Sequence, residues 1–272
     1  MKIEFLLSTI NRTNLDFLKK VFANFNLEDI NLLVINQCDR NNIKKAKELK
    51  STNRIKIISV EDRGLSKSRN LALSNSTGDI CLIADDDIVY NPNIFERIKS
   101  DYQNNSYDII TYSSKIGSQS LKKSQEKTLI RPHNFRSLFS IMSIQITFLR
   151  KSIVEKGLSF DTQFGVGSGT YASGEENIFI KDAIDRGLSI GKSGFELNKH
   201  PYDTNTSILT NSVLKSKGPL FKRMFNQWAA FFILCAFFIY KSPSIVKNTN
   251  FFYSFYFSII EMIKYQKNNS YQ

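Results

Sequence analysis

The chain has 272 residues, 42% of them hydrophobic and 12% aromatic, enough to bury one large core or two modest ones in one or two domains. That composition marks a globular protein. A formal charge of +12 implies attraction to something anionic: nucleic acid, an anionic lipid surface or a phosphorylated small molecule. Charge alone does not choose among them.

The chain opens M-K-I-E-F-L-L-S-T-I-N-R, a short apolar run with an acidic residue inside it, which predicts a first strand over 3–10 and not a signal peptide. Leu15, Leu18, Val21 and Phe22 follow at helical spacing over 14–24. A second apolar strand at 30–35 runs into Gln37, Cys38 and Asp39, and a lysine-rich amphipathic helix is expected over 42–49. A third strand at 55–60 leads to a helix over 65–75 with Lys67 and Arg69 near its start. After the turn Thr77-Gly78-Asp79, a fourth strand at 80–84 ends on Asp85, Asp86 and Asp87. Strands alternating with helices predict a parallel, three-layer α/β sheet. Polar residues gather after each strand: Asn11 and Arg12, Gln37 and Asp39, Asp62 and Arg63, then the aspartates. Open α/β sheets take ligands at the carboxyl ends of their strands, so these groups are expected to share one crevice.

A helix over 94–102 and a strand over 108–112 follow, then a polar, aperiodic stretch at 113–127 that reads as a loop. From residue 130 the alternation lapses. A strand over 141–149, a short helix over 152–156 and a glycine-rich segment at 165–174 lead to a helix beginning at Glu175 and Glu176. In the tail, 228–240 is almost wholly apolar between Lys222 and Arg223 on one side and Lys241 on the other, and 251–263 is aromatic. The first of these runs has 13 residues, short of the roughly 20 that span a bilayer. It reads as a monotopic or re-entrant membrane element, against the alternative of two buried core helices. Cys38, Cys81 and Cys235 show no metal-ligand spacing and read as buried thiols of a reducing compartment.

On an extended backbone alternate side chains share a face, so Asp85 and Asp87 are expected to point one way and Asp86 the other. Two carboxylates so spaced can hold Mg²⁺ or Mn²⁺. Lys67 and Arg69 near a helix start suit a diphosphate or plain solvation equally. Glu175 and Glu176 form a second acidic pair, either helix caps or a general base. On spacing alone, His200 reads as structural.

The ordered set S-T-I-N-R, N-Q-C-D, G-L-S-K-S-R-N, T-G-D-I-C-L-I-A-D-D-D, F-D-T-Q-F-G and G-E-E-N-I-F, with a later histidine, resembles the family 2 glycosyltransferases over about residues 1–200. The resemblance implies a GT-A (Rossmann-like) three-layer, mostly parallel sheet followed by a helical membrane-associating tail. Residues 1–115 would bind the nucleotide sugar, 116–212 the acceptor, and 213–272 would form the tail. It also implies inverting transfer from a nucleotide-diphosphate sugar to a glycan or polyprenyl-diphosphate-linked acceptor in surface polysaccharide (capsule-type) synthesis, at the inner, cytoplasmic face of the cell membrane. An anionic membrane surface is then the partner, not nucleic acid. Donor contacts fall on Thr9, Asn11, Arg12, Gln37, Asp39, Lys67, Arg69, Asp85 and Asp86. A divalent cation, Mn²⁺ or Mg²⁺, falls to Asp87, Asp85 and His200, a context that reverses the structural reading of the histidine. The catalytic base is Glu176 or Glu175, since Glu-Glu stands where the family usually has Glu-Asp. Two alternatives fit less well. A nucleotidyltransferase would carry a glycine-rich first loop, and 8–12 has no glycine; a nucleic-acid binder needs a basic stripe with exposed stacking aromatics.

Overall fold

In the computed structural model, which describes residues 1–117, 121, 129–200 and 209–267, strand β1 (Ile3–Ile10) lies inside a nine-stranded sheet. Its side chains alternate between two cores, Ile3, Phe5 and Leu7 on one face and Leu6 on the other. A strand apolar on both faces fits only between two covering layers. β2 (Asn31–Gln37) and β4 (Ile80–Asp85) pair with β1 in parallel on its two sides, and β3 (Ile55–Val60) adds to β2. Beyond β4 come the antiparallel β8 (Ile146–Leu149), then β6 (Ile109–Ile116), β9 (Ile190–His200) parallel to β6, and the short β5 (Val89–Tyr90). β7 (Arg131–Pro132) also pairs with β9. The long pairings are thus parallel, and one sheet runs through both 1–115 and 116–212.

Helices α1 (Phe17–Val21) and α4 (Ile94–Asn104) cover one face through Leu18, Val21, Ile94 and Ile98. The other face is covered by α3 (Leu65–Asn75), α6 (Arg150–Glu155) and α7 (Glu175–Asp185) through Ala72, Ile153, Phe179 and Ile180. Two single turns, α2 (Ile43–Ala46) and α5 (Phe135–Leu138), complete this part. The helices expected over 14–24 and 42–49 contract to α1 and α2. β6 continues into the stretch read as a loop at 113–127, of which 118–120 and 122–127 lie outside the described residues. The first part of 141–149 holds a 3₁₀ turn, Ser143–Gln145, ahead of β8. All three cysteines are free; Cys38 and Cys81 are buried as expected, whereas Cys235 is only half-buried. Burial, with Glu4 nearby, pushes the Cys81 thiol up to about 12, which keeps it unreactive.

The C-terminal helices are α8 (Asn211–Met224), α9 (Gln227–Asn248) and α10 (Phe251–Lys264). Each starts on a residue, Thr210, Asn226 and Asn250, whose side chain accepts a backbone N–H of the first turn. α8 is fixed to the sheet domain by Arg223, which meets Asp161 at 2.9 Å and Asp182 at 2.7 Å with all three side chains largely buried. Its crossing with α10 requires Gly218: a Cβ there would collide with the Ser258 carbonyl, and Ser258 Oγ accepts from the Gly218 N–H while donating to the Leu214 carbonyl. Along α9, Ala230, Leu234, Phe238 and Ile245 face inward to a third core, while Trp228, Phe232, Ile239 and Tyr240 are exposed. The tail is therefore neither wholly core nor detached.

Candidate active site

The strand register brings the polar ends of three strands level. Ser8 pairs with Asp85, Thr9 with Asn36 and Ile10 with Gln37. Just past β1, Asn11 adopts φ 53, a left-handed conformation that asparagine tolerates better than most residues. That turn lets it exchange two 2.9 Å hydrogen bonds with Asp39, its Nδ2 donating to the carboxylate and its Oδ1 accepting from the Asp39 N–H. Burial alone would raise the Asp39 carboxyl; hydrogen bonds from Asn42, Asn11 and Asn41 outweigh it and hold the group below its ordinary range. The buried Asn36 clamps the Arg12 backbone, accepting from its N–H at 3.0 Å and donating to its carbonyl at 2.8 Å. Gln37 donates to the Gly64 carbonyl at 2.9 Å and so joins β2 to the start of α3. Beside it lies a cleft of about 390 Å³ lined by Gln37, Asp62, Lys67 and Ser68, with Lys67 paired to Asp62 at 2.9 Å.

β4 ends at Asp85, so the alternation expected through the triplet stops there, and the three aspartates meet three different partners. Asp86 accepts from Thr9 Oγ1 and from Arg12, the latter at 2.7 Å. Asp85 faces Arg69, 3.5 Å away. Burial raises the Asp85 carboxyl; Arg69 opposes the shift, and Asp87, Asp86 and Glu175 add to it. Asp87 meets His200, whose Nε2 lies 2.9 Å from its Oδ2. The ribbon of β5 and β9 causes this last contact: Val89 lies opposite Lys199, so the chain entering β5 runs beside the end of β9.

Arg69 is the hinge of the arrangement. It sits on the first turns of α3, only 1% exposed, and donates at 2.9 Å to Glu175 and at 2.8 Å to Ser143 Oγ while facing Asp85. From its spacing Arg69 suited a diphosphate contact or plain solvation at the helix surface equally; it is buried, and so not solvated, against Glu175 and Ser143. Glu175 and Glu176 open α7 after Gly174, whose φ of +108 and contact with Leu220 leave no space for a side chain. Glu175 is buried against Arg69, and Glu176 is half-buried. Burial, followed by the neighbouring Glu175, pushes the Glu176 carboxyl from 4.5 up to about 8, the range where a carboxylate accepts a proton near neutral pH. The glycine-rich segment is a packed turn: Gly165 N–H donates to the Tyr171 carbonyl, and the Val166 carbonyl accepts from Leu65 at the head of α3.

Residues 6–173 match the family described as glycosyl transferase family 2. The chain belongs to that family. Among solved structures, this glycosyltransferase superposes on S. aureus TarS 1–349 in complex with UDP-GlcNAc with a TM-score of 0.62 at 16% identity, covering 90% of this chain and 74% of that one. The same TarS fragment in complex with UDP gives 0.56 at 15% identity, with 87% and 70% covered. A longer TarS structure gives 0.58 at 14% identity, with 87% of this chain and 43% of that one covered. The fold is GT-A. No curated protein matches the chain.

The matched stretch holds the first strand end, Asp39, the aspartates and the F-D-T-Q-F-G segment, and it stops just short of Glu175. Among the described residues no three His, Cys, Asp or Glu side chains converge as a ready metal site. Asp87 and His200 nevertheless bring a carboxylate oxygen and an imidazole nitrogen together at the mouth of the crevice. Such a donor pair suits Mn²⁺ or Mg²⁺ when phosphate oxygens and water complete the shell. The residues present therefore fit the cation that family 2 enzymes often use. Two participants sit in none of the quoted motifs, Ser143 and Arg223, and their roles follow from contacts between distant elements.

Proposed function

We propose that the chain is an inverting glycosyltransferase that moves a sugar from a nucleotide-diphosphate donor to a hydroxyl of a glycan or polyprenyl-diphosphate-linked acceptor at a membrane surface, in surface-polysaccharide synthesis. The observation that carries this reading is the buried Arg69, which links the strand-end aspartates to the glutamates of α7. Residues 1–115 then serve the donor, with Asn11, Asp39 and Gln37 on the nucleoside side and Thr9, Arg12, Asp86, Lys67 and Asp85 around the ribose and diphosphate. Residues 116–212 serve the acceptor. The TarS complexes with UDP-GlcNAc and UDP make a UDP-sugar the first donor to test. Asp87 and His200, with Asp85 behind them, would hold Mn²⁺ or Mg²⁺, which supplies Lewis-acid neutralisation of the diphosphate charge. Glu176 takes the proton from the acceptor hydroxyl as that oxygen bonds to the anomeric carbon, and the opposite carbon–oxygen bond breaks with its electron pair leaving on the nucleoside diphosphate. Arg69 adds fixed positive charge beneath the site.

Glu176→Gln is expected to lose turnover while keeping donor affinity, measured by UDP-sugar consumption and calorimetric UDP binding; wild-type turnover in that variant sinks the assignment to Glu176. A carboxyl raised on folding favours the fold while protonated. That contribution is whole below its ordinary 4.5 and is lost as pH rises through about 8. The permanently neutral Glu176→Gln protein is therefore expected to melt above the parent at about pH 9.

The membrane reading is supported by α9, which by length and composition is the one helix among the described residues long and apolar enough to cross a bilayer, with only 22% of its apolar window buried. Its outward Trp228, Phe232 and Ile239 lie on the same tail as exposed Phe252 and Tyr256 of α10, near Lys241 and Lys264. An apolar face with aromatic and lysine borders suits the interface of an anionic bilayer. Serine at Trp228, Phe232, Ile239 and Phe252 together is expected to abolish sedimentation with phosphatidylglycerol vesicles without loss of folding; a parent protein that stays in the supernatant overturns the reading. Truncation ahead of Lys222 is a poorer test, because it removes Arg223 and strands Asp161 and Asp182.

A further inference from the structure

Helix α8 lies beyond the stretch matched to the family, yet one face of it runs along the segment that opens α7. Ser216, Leu220 and Arg223 stand at i, i+4 and i+7, the spacing that places side chains in one stripe of a helix. The Ala172 N–H donates to Ser216 Oγ at 2.8 Å, Leu220 fills the space over Gly174, and Arg223 reaches Asp182 of α7 at 2.7 Å. The stripe thus fastens α7 beyond its glutamates, at Asp182, and the chain ahead of them, at Ala172 and Gly174. Ser216 is only 1% exposed, and its hydroxyl donates to the Ser212 carbonyl at 2.8 Å. The oxygen that receives the Ala172 N–H is therefore oriented by α8 itself.

The entry to α7 depends on such a fastening. Gly174, at the N-cap, has no side chain to close the helix start, and its φ of +108 is open to the residue type with the widest backbone freedom. Glu175 is tied to Arg69, whereas among the described residues Glu176 has no ion pair, so its place follows from the backbone that carries it. We propose that Ser216 is a positioning residue of the active site: its hydroxyl holds the Ala172 backbone and, through that short link, sets where Gly174 delivers Glu175 and Glu176 to the crevice. This rests on the reading that α7 supplies the base. A displacement of about 1 Å at a reacting group can cost about a hundredfold in rate. A hydrogen bond this close to the glutamates therefore acts on turnover without touching substrate. The sheet domain supplies the carboxylates, and the tail fixes where they stand.

The test uses the full chain. In Ser216→Ala the Ala172 amide loses its acceptor, and its exchange with deuterated water, followed by ¹⁵N NMR, is expected to quicken about tenfold. The kcat for UDP-GlcNAc hydrolysis in the presence of Mn²⁺ is expected to fall about tenfold, while UDP binding by calorimetry stays within about twofold of the parent. Ser254→Ala controls for general loosening of the tail: its buried hydroxyl bonds Asn211 and Thr249 and not the segment that opens α7. That variant should leave both Ala172 exchange and kcat at the parent level. Unchanged Ala172 exchange in Ser216→Ala, faster exchange with parent kcat, or a parallel loss of UDP binding each overturns the positioning role. Parent turnover in Glu176→Gln removes the base reading alone, and a fall in kcat confined to Ser216→Ala would still assign the positioning of this segment to Ser216.

Discussion

Asp87→Ala is expected to reduce turnover about a thousandfold and to erase the Mn²⁺-dependent part of donor binding, measured as thermal stabilisation by a UDP-sugar with and without the metal. A loss of that size corresponds to roughly 4 kcal/mol of transition-state stabilisation, in line with the several kcal/mol attributed to charge neutralisation at a departing phosphate. The fold should survive, because the Asp87 side chain is 54% exposed and the change removes a partly solvated contact to His200. Retained folding separates this outcome from damage to the core. Asp86 offers an internal contrast, since its carboxylate is tied to Thr9 and Arg12 and not to the histidine. A variant at Asp87 with turnover within tenfold of the parent would remove the metal-facing role from this residue.

Much of the domain was legible because its central strands are apolar on both faces. The runs at 3–10, 30–35 and 80–84 fit only between two covering layers, whereas 55–60, with Lys56 exposed, is the terminal strand beside β2, and the register then brings the polar strand ends level. β9 escaped for the opposite reason. It reads I-G-K-S-G-F-E-L-N-K-H, with two glycines and polar residues on alternate positions, so no apolar run announces it. α8 was hidden by Gly218-Pro219, which reads as a helix breaker, although the glycine is needed for the crossing with α10. α9 extends past Tyr240 to Asn248 through Pro243, beyond the apolar run that suggested it. The site shows the same division. Alternation could not orient Asp85, Asp86 and Asp87 because the strand ends at the first of them. Arginine ordinarily reads as a surface residue, and the burial of Arg69 becomes intelligible only once α7 brings Glu175 to it.

Arg69→Met is expected to cost about 3–5 kcal/mol of folding stability, the usual consequence of removing one member of a buried ion pair. Against the roughly 5–15 kcal/mol available to a typical domain, that loss should appear as a large fall in the urea midpoint. The cost arises less from the lost attraction than from what stays behind. Glu175, only 7% exposed at its side chain, would keep a carboxylate with no paired cation, and Asp85 would lose the one neighbour that opposes its raised proton affinity. The double variant Arg69→Met with Glu175→Gln removes the stranded charge and should recover a substantial part of the loss. Arg69→Lys should fall between, because an ammonium cannot present the fork that reaches Glu175, Ser143 and Asp85 at once. A single variant within about 1 kcal/mol of the parent, the ordinary scale of an exposed pair, would show that the three contacts do not act as a buried unit. If the loss is as large as expected, the guanidinium has two tasks in one position: it holds α7 to α3, and it lets Asp85 and Glu175 stand close together with a charge between them that offsets both.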